Sequence, residues 1–187
     1  MFEPNATASR LLRSATRLPL LRRFVRHQKG TSAIEFSLIA APFIALLFAI
    51  IETSMVFFAG QTLQAAAADA ARLIMTGEAQ TKNFSQAQFK TEVCNRIKGL
   101  FDCAGGVYVD VKSYTSFTSI NTTPPVTNKT FNTTMTYSPG TVGDIVVVSL
   151  HYQWPIYVSL LGNQLDNLAG GKRLLTATSV FRVEPYK

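Results

Sequence analysis

From Phe36 to Ile51 the chain runs sixteen residues without a charge. Glu52 interrupts, and Thr53 to Gly60 resumes the apolar run through Met55, Val56, Phe57 and Phe58. A helix rises about 1.5 Å per residue, so the first run reaches about 24 Å and the stretch on to Ala59 about 36 Å. A hydrocarbon core is about 30 Å thick, so the pattern predicts one transmembrane span over residues 36–59. Pro42 lies inside it, removes a backbone donor and is predicted to kink or loosen the helix there. Beyond the span, Ala59, Leu63, Ala66, Ala67, Ala70, Leu73 and Ile74 recur at intervals of three and four, while Gln61, Gln64, Asp69 and Arg72 fall largely off that stripe. Alanine fills most of the run from Ala65 to Ala71, which leaves a smooth surface that other elements can approach closely. With Gly77 as the stop, the pattern predicts one continuous helix from about Thr31 to Met75.

The texture then changes. Phe84, Phe89, Val93, Ile97 and Leu100 form a second amphipathic pattern, opened by Ser85 as a cap. Val107–Tyr114 alternates with a period of two, and Lys129–Tyr137 does so less cleanly. Asp144–Trp154 and Leu174–Val183 are rich in β-branched and aromatic residues. These four segments read as strands of one antiparallel sheet, separated by a polar loop around Pro124 and Pro125 and by an apolar, then Gly-rich connection over 157–171. The fold class is therefore α+β: a long N-terminal transmembrane helix followed by a small exported domain with one short helix and about four strands. The predicted organisation is a basic leader over 1–30, the helix over 31–76 and the exported domain over 77–187.

Composition changes this picture little and charge changes it more. Charged residues make up 16% of the 187, below the usual quarter, as a membrane segment requires. The net charge of +7 would suit a nucleic-acid binder, but its distribution does not. Arg10, Arg13, Arg17, Arg22, Arg23, Arg26 and Lys29 stand against Glu3 alone, so the first 30 residues carry +6 of it. A nucleic-acid surface spreads basic residues over a folded face. Here they stop at Lys29, where the apolar run begins, as in the cytoplasmic flank that orients a membrane span. The N-terminus is expected in the cytoplasm and the C-terminal domain beyond the membrane. An ordinary secretory signal has an apolar core of about 7–15 residues and a small-residue cut just after it. The alanines at 65–68 lie fourteen or more residues past Ile51, too far for such a cut.

The junction Lys29-Gly30-Thr31-Ser32-Ala33-Ile34-Glu35-Phe36 offers another cut, before the apolar run. A glycine, four residues and then Glu-Phe at the head of an apolar helix resembles the processing site of type IV-like prepilins. With Pro42, Ile50-Ile51-Glu52 and an alanine-rich helix closing on Arg72, it resembles the TadE-like family of minor pseudopilins of tight-adherence (Flp-type) pilus assembly. The 30-residue leader is long for that family. Arg182-Val183-Glu184 after the last strand also looks like the family's close. The resemblance implies a bacterial inner-membrane protein cut between Gly30 and Thr31 by a prepilin peptidase. It would aid assembly of a pilus used in surface attachment, or become a minor part of it. An alternative is a membrane-anchored scaffold of the secretion machinery that never enters the fibre. The implied partners are the peptidase, other pilins or pseudopilins, the inner-membrane assembly platform and membrane lipid, with no nucleic acid and no cofactor.

Glu35 and Phe36 are the residues expected to guide the peptidase and then to pair subunits, Glu35 neutralising the new ammonium of a neighbour. Glu52, seventeen residues on, either marks the outer boundary of the span or faces another helix. Cys94 and Cys103 are the only cysteines, and export to an oxidising compartment predicts a disulfide between them rather than two free thiols. A metal site is not expected, because His27 lies in the leader and His151 in a strand. Neither a phosphate-binding Gly-rich loop nor a Gly-x-Ser-x-Gly elbow is present, and the chain is not expected to be an enzyme. If Glu35 acts after processing, Glu35→Gln should be inserted, cleaved and stable yet fail to support pili. Normal piliation by that variant would make Glu35 an interfacial residue only.

Overall fold

The structure is a computed structural model and describes residues 30–97, 99–157 and 165–186. Helix α1 spans Thr31–Met75 with Pro42 inside it, and the helix runs through that proline. The hydroxyls of Ser37, Thr53 and Ser54 donate back to the carbonyls of Ile34, Ala49 and Ile50, which satisfies them without water. The chain divides into two compact units, one ending at Leu46 and one running from Leu47. In the first, the described residues 30–46 are all exposed or half-exposed, among them Ile34, Phe36, Leu38, Ile39 and Phe43.

The second unit begins with the rest of α1. Three short helices follow, α2 (Glu78–Thr81), α3 (Gln86–Arg96) and α4 (Cys103–Gly106), then strands β1 (Val107–Tyr114), β2 (Val126–Thr127), β3 (Thr130–Phe131), β4 (Ile145–Pro155) and β5 (Lys172–Arg182). Gly77 ends α1 in the left-handed region at φ 78°, where a Cβ would meet the Tyr186 ring at 2.1 Å. Ser85 caps α3 in a capping box, its side chain accepting from the Gln88 N–H while the Gln88 side chain accepts from the Ser85 N–H. The predicted single short helix is thus α3, with one-turn helices on either side of it.

The sheet has three strands in the order β1-β4-β5, all antiparallel, and β2 pairs with β3 as a separate hairpin. Of the predicted Lys129–Tyr137 strand, only Thr130–Phe131 pairs with another strand. Its end touches β1 once, where the Val111 N–H donates to Thr136 O and the Val111 carbonyl accepts from the Ser138 N–H. The reason lies in Asn132-Thr133-Thr134, whose Asn132 side chain accepts from the Thr134 N–H and turns the backbone out of the extended ladder. Pro155 closes β4 beyond the start of β1, which is paired opposite Tyr152, so its missing N–H removes no ladder bond.

One face of the sheet carries Val107, Val109 and Val111 of β1, Val146, Val148 and Leu150 of β4, and Leu175 and Ala177 of β5. Phe89, Val93 and Ile97 of α3 and the buried stripe of α1 cover it. The other face is covered at one end by Phe131 and Leu168, which pack with Leu174. The core therefore needs the C-terminal half of α1, and the boundary predicted after Thr76 divides the chain but not its packing.

Cys94 near the end of α3 is disulfide-bonded to Cys103 at the start of α4, with Cα atoms 5.6 Å apart. The bridge closes a loop with a sequence separation of 9. Loop-closure entropy then accounts for roughly 2.5 kcal/mol. Replacing both cysteines by serine should lower the unfolding free energy of the sheet domain by about that amount, read as a lower denaturation midpoint. An unchanged midpoint, or two thiols alkylated without reductant, would contradict the assignment.

Candidate functional site

The residues singled out by the sequence fall on two stretches of α1. At its head Gly30 is exposed, and a Cβ placed there would meet nothing within 4 Å. Thr31 is the first residue of the helix. Glu35 and Phe36 lie exposed one turn on, Phe36 at 74%, and Glu35 makes no ion pair with any described residue. Gly30 and Thr31, which flank the peptide expected to be cut, are both exposed, and no described residue forms an ion pair with the carboxylate expected to pair between subunits.

Further along, the helix is gripped. Its buried residues are Glu52, Val56, Ala59, Leu63, Ala66, Ala67, Ala70, Ala71 and Ile74, spaced by threes and fours along one face. Glu52 is 8% exposed, and its carboxylate accepts a hydrogen bond from the backbone N–H of Tyr157, just past β4. The structure adds a contact that neither sequence reading of Glu52 included: the residue ties α1 to the domain's own β4–β5 connection. A buried carboxylate is costly unless hydrogen-bonded, and the amide supplies that partner.

A second tie is made by Gln64. Its amide donates to Thr178 O at 3.1 Å and accepts from Thr178 N at 3.3 Å, so one side chain satisfies both outward backbone groups of an edge-strand residue. The sequence marked Tyr157 only as the start of the apolar, then Gly-rich connection over 157–171, a segment expected to touch the membrane or a neighbour and not the helix. Gln64 left one trace, a polar residue off the apolar stripe. Arg72, at the close of the family-like segment, lines an open groove of about 300 Å³ with Asp69, Leu73, Thr76, Glu78 and Arg96.

On the sheet face away from α1, the register sets Asp110 opposite Ser149 and Ser149 opposite Thr178, while Tyr108, His151 and Thr176 form the next row. This is where a histidine, a serine and an aspartate come nearest to a catalytic set. Their bonds go elsewhere. Asp110 pairs with Lys112 at 2.7 Å and accepts from the Thr136 N–H at 2.8 Å. His151 is 2% exposed, its Nδ1 is 3.1 Å from Thr176 Oγ1 and its ring lies 5.6 Å from that of Phe131. Ser149 Oγ lies 3.3 Å from Thr178 Oγ1. These contacts, within β1, across the strands and to the 136–138 segment, satisfy the polar atoms of the row. Among the described residues, no group of three or more His, Cys, Asp and Glu is placed to hold a metal.

The described residues contain one helix long and apolar enough to cross a membrane, α1, with a mean hydropathy of 2.4 over its most apolar window. The family model described as TadE-like protein matches residues 30–72. The match opens on Gly30 and ends within the buried stripe of α1, so the sheet lies outside it. No curated protein and no solved structure matches the chain.

Burial pushes the His151 pKa from 6.5 down to about 4, partly opposed by the nearby Asp110 charge and aided by that of Lys112. The folded domain thus holds a neutral imidazole where the unfolded chain takes up a proton. Stability is full above pH 6.5 and falls as pH drops toward 4. The loss is on the order of 3 kcal/mol at most. Denaturant midpoints at the two ends of that window should show this slope in the wild-type chain, and His151→Gln should flatten it. A wild-type midpoint unchanged across the window would refute the assignment.

Proposed function

We propose, on the premise that residues 30–72 make this chain a TadE-like protein, that it is a minor pseudopilin-like protein of tight-adherence pilus assembly. The TadE-like family points to that assembly pathway, and a place as a minor pseudopilin is the reading argued here. The observation that carries it is the start of the match at Gly30, the residue before the expected cut and immediately before the first residue of α1. A signal cut behind the helix would discard the anchor. A cut in front of it keeps the whole of Thr31–Met75 in the mature protein.

The mechanism follows from how α1 is divided. Residues 31–51 have no buried side chain, so their whole circumference is available to lipid in the membrane and to neighbouring helices in a fibre. From Glu52 on, the helix is committed to its own domain. With the basic leader on the cytoplasmic side of a bacterial inner membrane, as its charge favours, the sheet domain would stand in the periplasm. Removal of the leader leaves a new ammonium on Thr31 four residues from Glu35, about 6 Å along the helix axis. The exposed Glu35 carboxylate is set to pair with that group on a neighbour displaced along the axis. The pairing would fix the stagger between subunits while α1 moves from lipid to protein surroundings.

The open space around Gly30 makes the test specific. A bulky side chain there disturbs no described contact, so a block in processing by Gly30→Leu belongs to peptidase recognition. Intact mass from membranes should show a wild-type chain beginning at Thr31, and the uncut precursor for Gly30→Leu or in cells lacking the peptidase. A mature N-terminus near Ala67 would overturn the reading. Recovery of the processed chain in sheared pili is the expected outcome; its confinement to the membrane fraction would assign it instead to the scaffold of the secretion machinery.

A further inference from the structure

The sixteen uncharged residues from Phe36 to Ile51, the first part of the 36–59 span, rise about 24 Å, about one helical turn short of the about 30 Å of a hydrocarbon core. If the span crosses the bilayer, as the proposed function requires, the boundary on the domain side falls within about a turn of Glu52. The domain meets the helix at that same level, through the hydrogen bond from the Tyr157 N–H to the Glu52 carboxylate. The Tyr157 side chain is turned outward and 84% exposed, more than any other large hydrophobic residue among those described.

The flanks of α1 that the domain leaves uncovered stay apolar beyond this level. Val56 and Ala59 are buried, whereas Met55 is 41% exposed, Phe57 69% and Phe58 60%. A domain standing free in water rarely leaves such a group uncovered. Here the uncovered residues follow the exposed Ile50 and Ile51, and the Thr53 and Ser54 hydroxyls between them are satisfied by the carbonyls of Ala49 and Ile50. Tyrosine suits the headgroup level, where its ring meets apolar chains and its hydroxyl meets water.

We propose that the sheet domain rests on the bilayer through Tyr157, with Met55, Phe57 and Phe58 extending the lipid-facing surface of the span onto the domain. The occupant of this surface is the interfacial layer of the leaflet on the domain's side. Continuity with the span argues for lipid over a protein partner. A neighbouring subunit would have to cover residues on both free flanks of α1, whereas the leaflet surrounds them at once. The Glu52 carboxylate holds the backbone of Tyr157 at this depth and so keeps the domain close to the membrane, with its sheet next to the helix it grips. The inference rests on the span reading, and the experiment separates the two.

Trp154 is the only tryptophan, so Tyr157→Trp adds one reporter at a position too exposed to disturb packing, with wild-type emission as the baseline. The full chain is reconstituted into phosphatidylcholine vesicles brominated either just below the headgroup or deep in the acyl chain. The emission added by Tyr157→Trp should fall by about half in shallow-brominated vesicles and by less in deep-brominated ones, as for an interfacial aromatic. Phe48→Trp, inside the span, is the control and should be quenched most by deep bromine. If Phe48→Trp is quenched and Tyr157→Trp is not, the proposal is overturned while the span stands. A Tyr157→Trp signal that responds only to crowding of copies, without bromine quenching, overturns it in favour of a neighbouring subunit. If neither reporter is quenched, the span reading fails and the proposal falls with it.

Discussion

The close approach of the sheet to α1 depends on side chains no larger than a methyl at Ala59, Ala66, Ala67, Ala70 and Ala71, all at most 2% exposed. In water this stripe would be a poor core for an isolated helix, because alanine buries little area. Against a sheet face lined by valines it works differently: small side chains on one surface accept β-branched ones on the other at native packing density. Leu63 and Ile74 supply bulk within and at the end of the stripe. The sheet, α3 and the closing segment through Val183 all enter one core built on this half of α1. The main core of the sheet domain therefore includes the helix, and only the small cluster of Phe131, Leu168 and Leu174 omits it.

That dependence explains how one helix serves two surroundings. Up to Ile51 its large apolar side chains are exposed, suited to lipid. From Glu52 the large apolar residues move to the flanks and the small ones take the face toward the sheet. The two polar ties reinforce the junction where packing alone is weakest. Glu52 holds the β4–β5 connection at the start of the stripe, and Gln64 holds the edge strand beside its middle. Each uses a side chain to satisfy backbone groups that would otherwise face the helix without a partner.

The polar row on the other sheet face shows the same economy of contacts. His151, Ser149, Asp110, Thr176 and Thr178 are close by virtue of register, and each finds a neighbour across a strand or in the 136–138 segment. Proximity of catalytic residue types is a consequence of alternation: every second residue on paired strands shares a face.

Much of the architecture was legible from residue order because the signals are local. Helix bounds came from an uninterrupted apolar run, a stripe at three- and four-residue spacing and a terminal glycine, and α1 runs over Thr31–Met75 as they indicated. Ser85 announced α3, and β1, β4 and β5 followed from β-branched and alternating residues. The Cys94–Cys103 bridge followed from there being two cysteines in a chain expected to be exported. What the sequence could not decide depends on contacts between distant residues. Lys129–Tyr137 has enough alternation to suggest a strand, yet Asn132 turns the chain locally and only the hairpin with β2 remains. Glu52 reads as a boundary or a bundle residue until the fold brings Tyr157, 105 positions away, to its carboxylate. Gln64 reads as a solvated face until Thr178 arrives from the last strand. Periodicity records which face a residue occupies, since that is set by its neighbours in sequence. Which backbone amide comes to lie against that face is set by how the sheet docks, and only the tertiary structure holds that information.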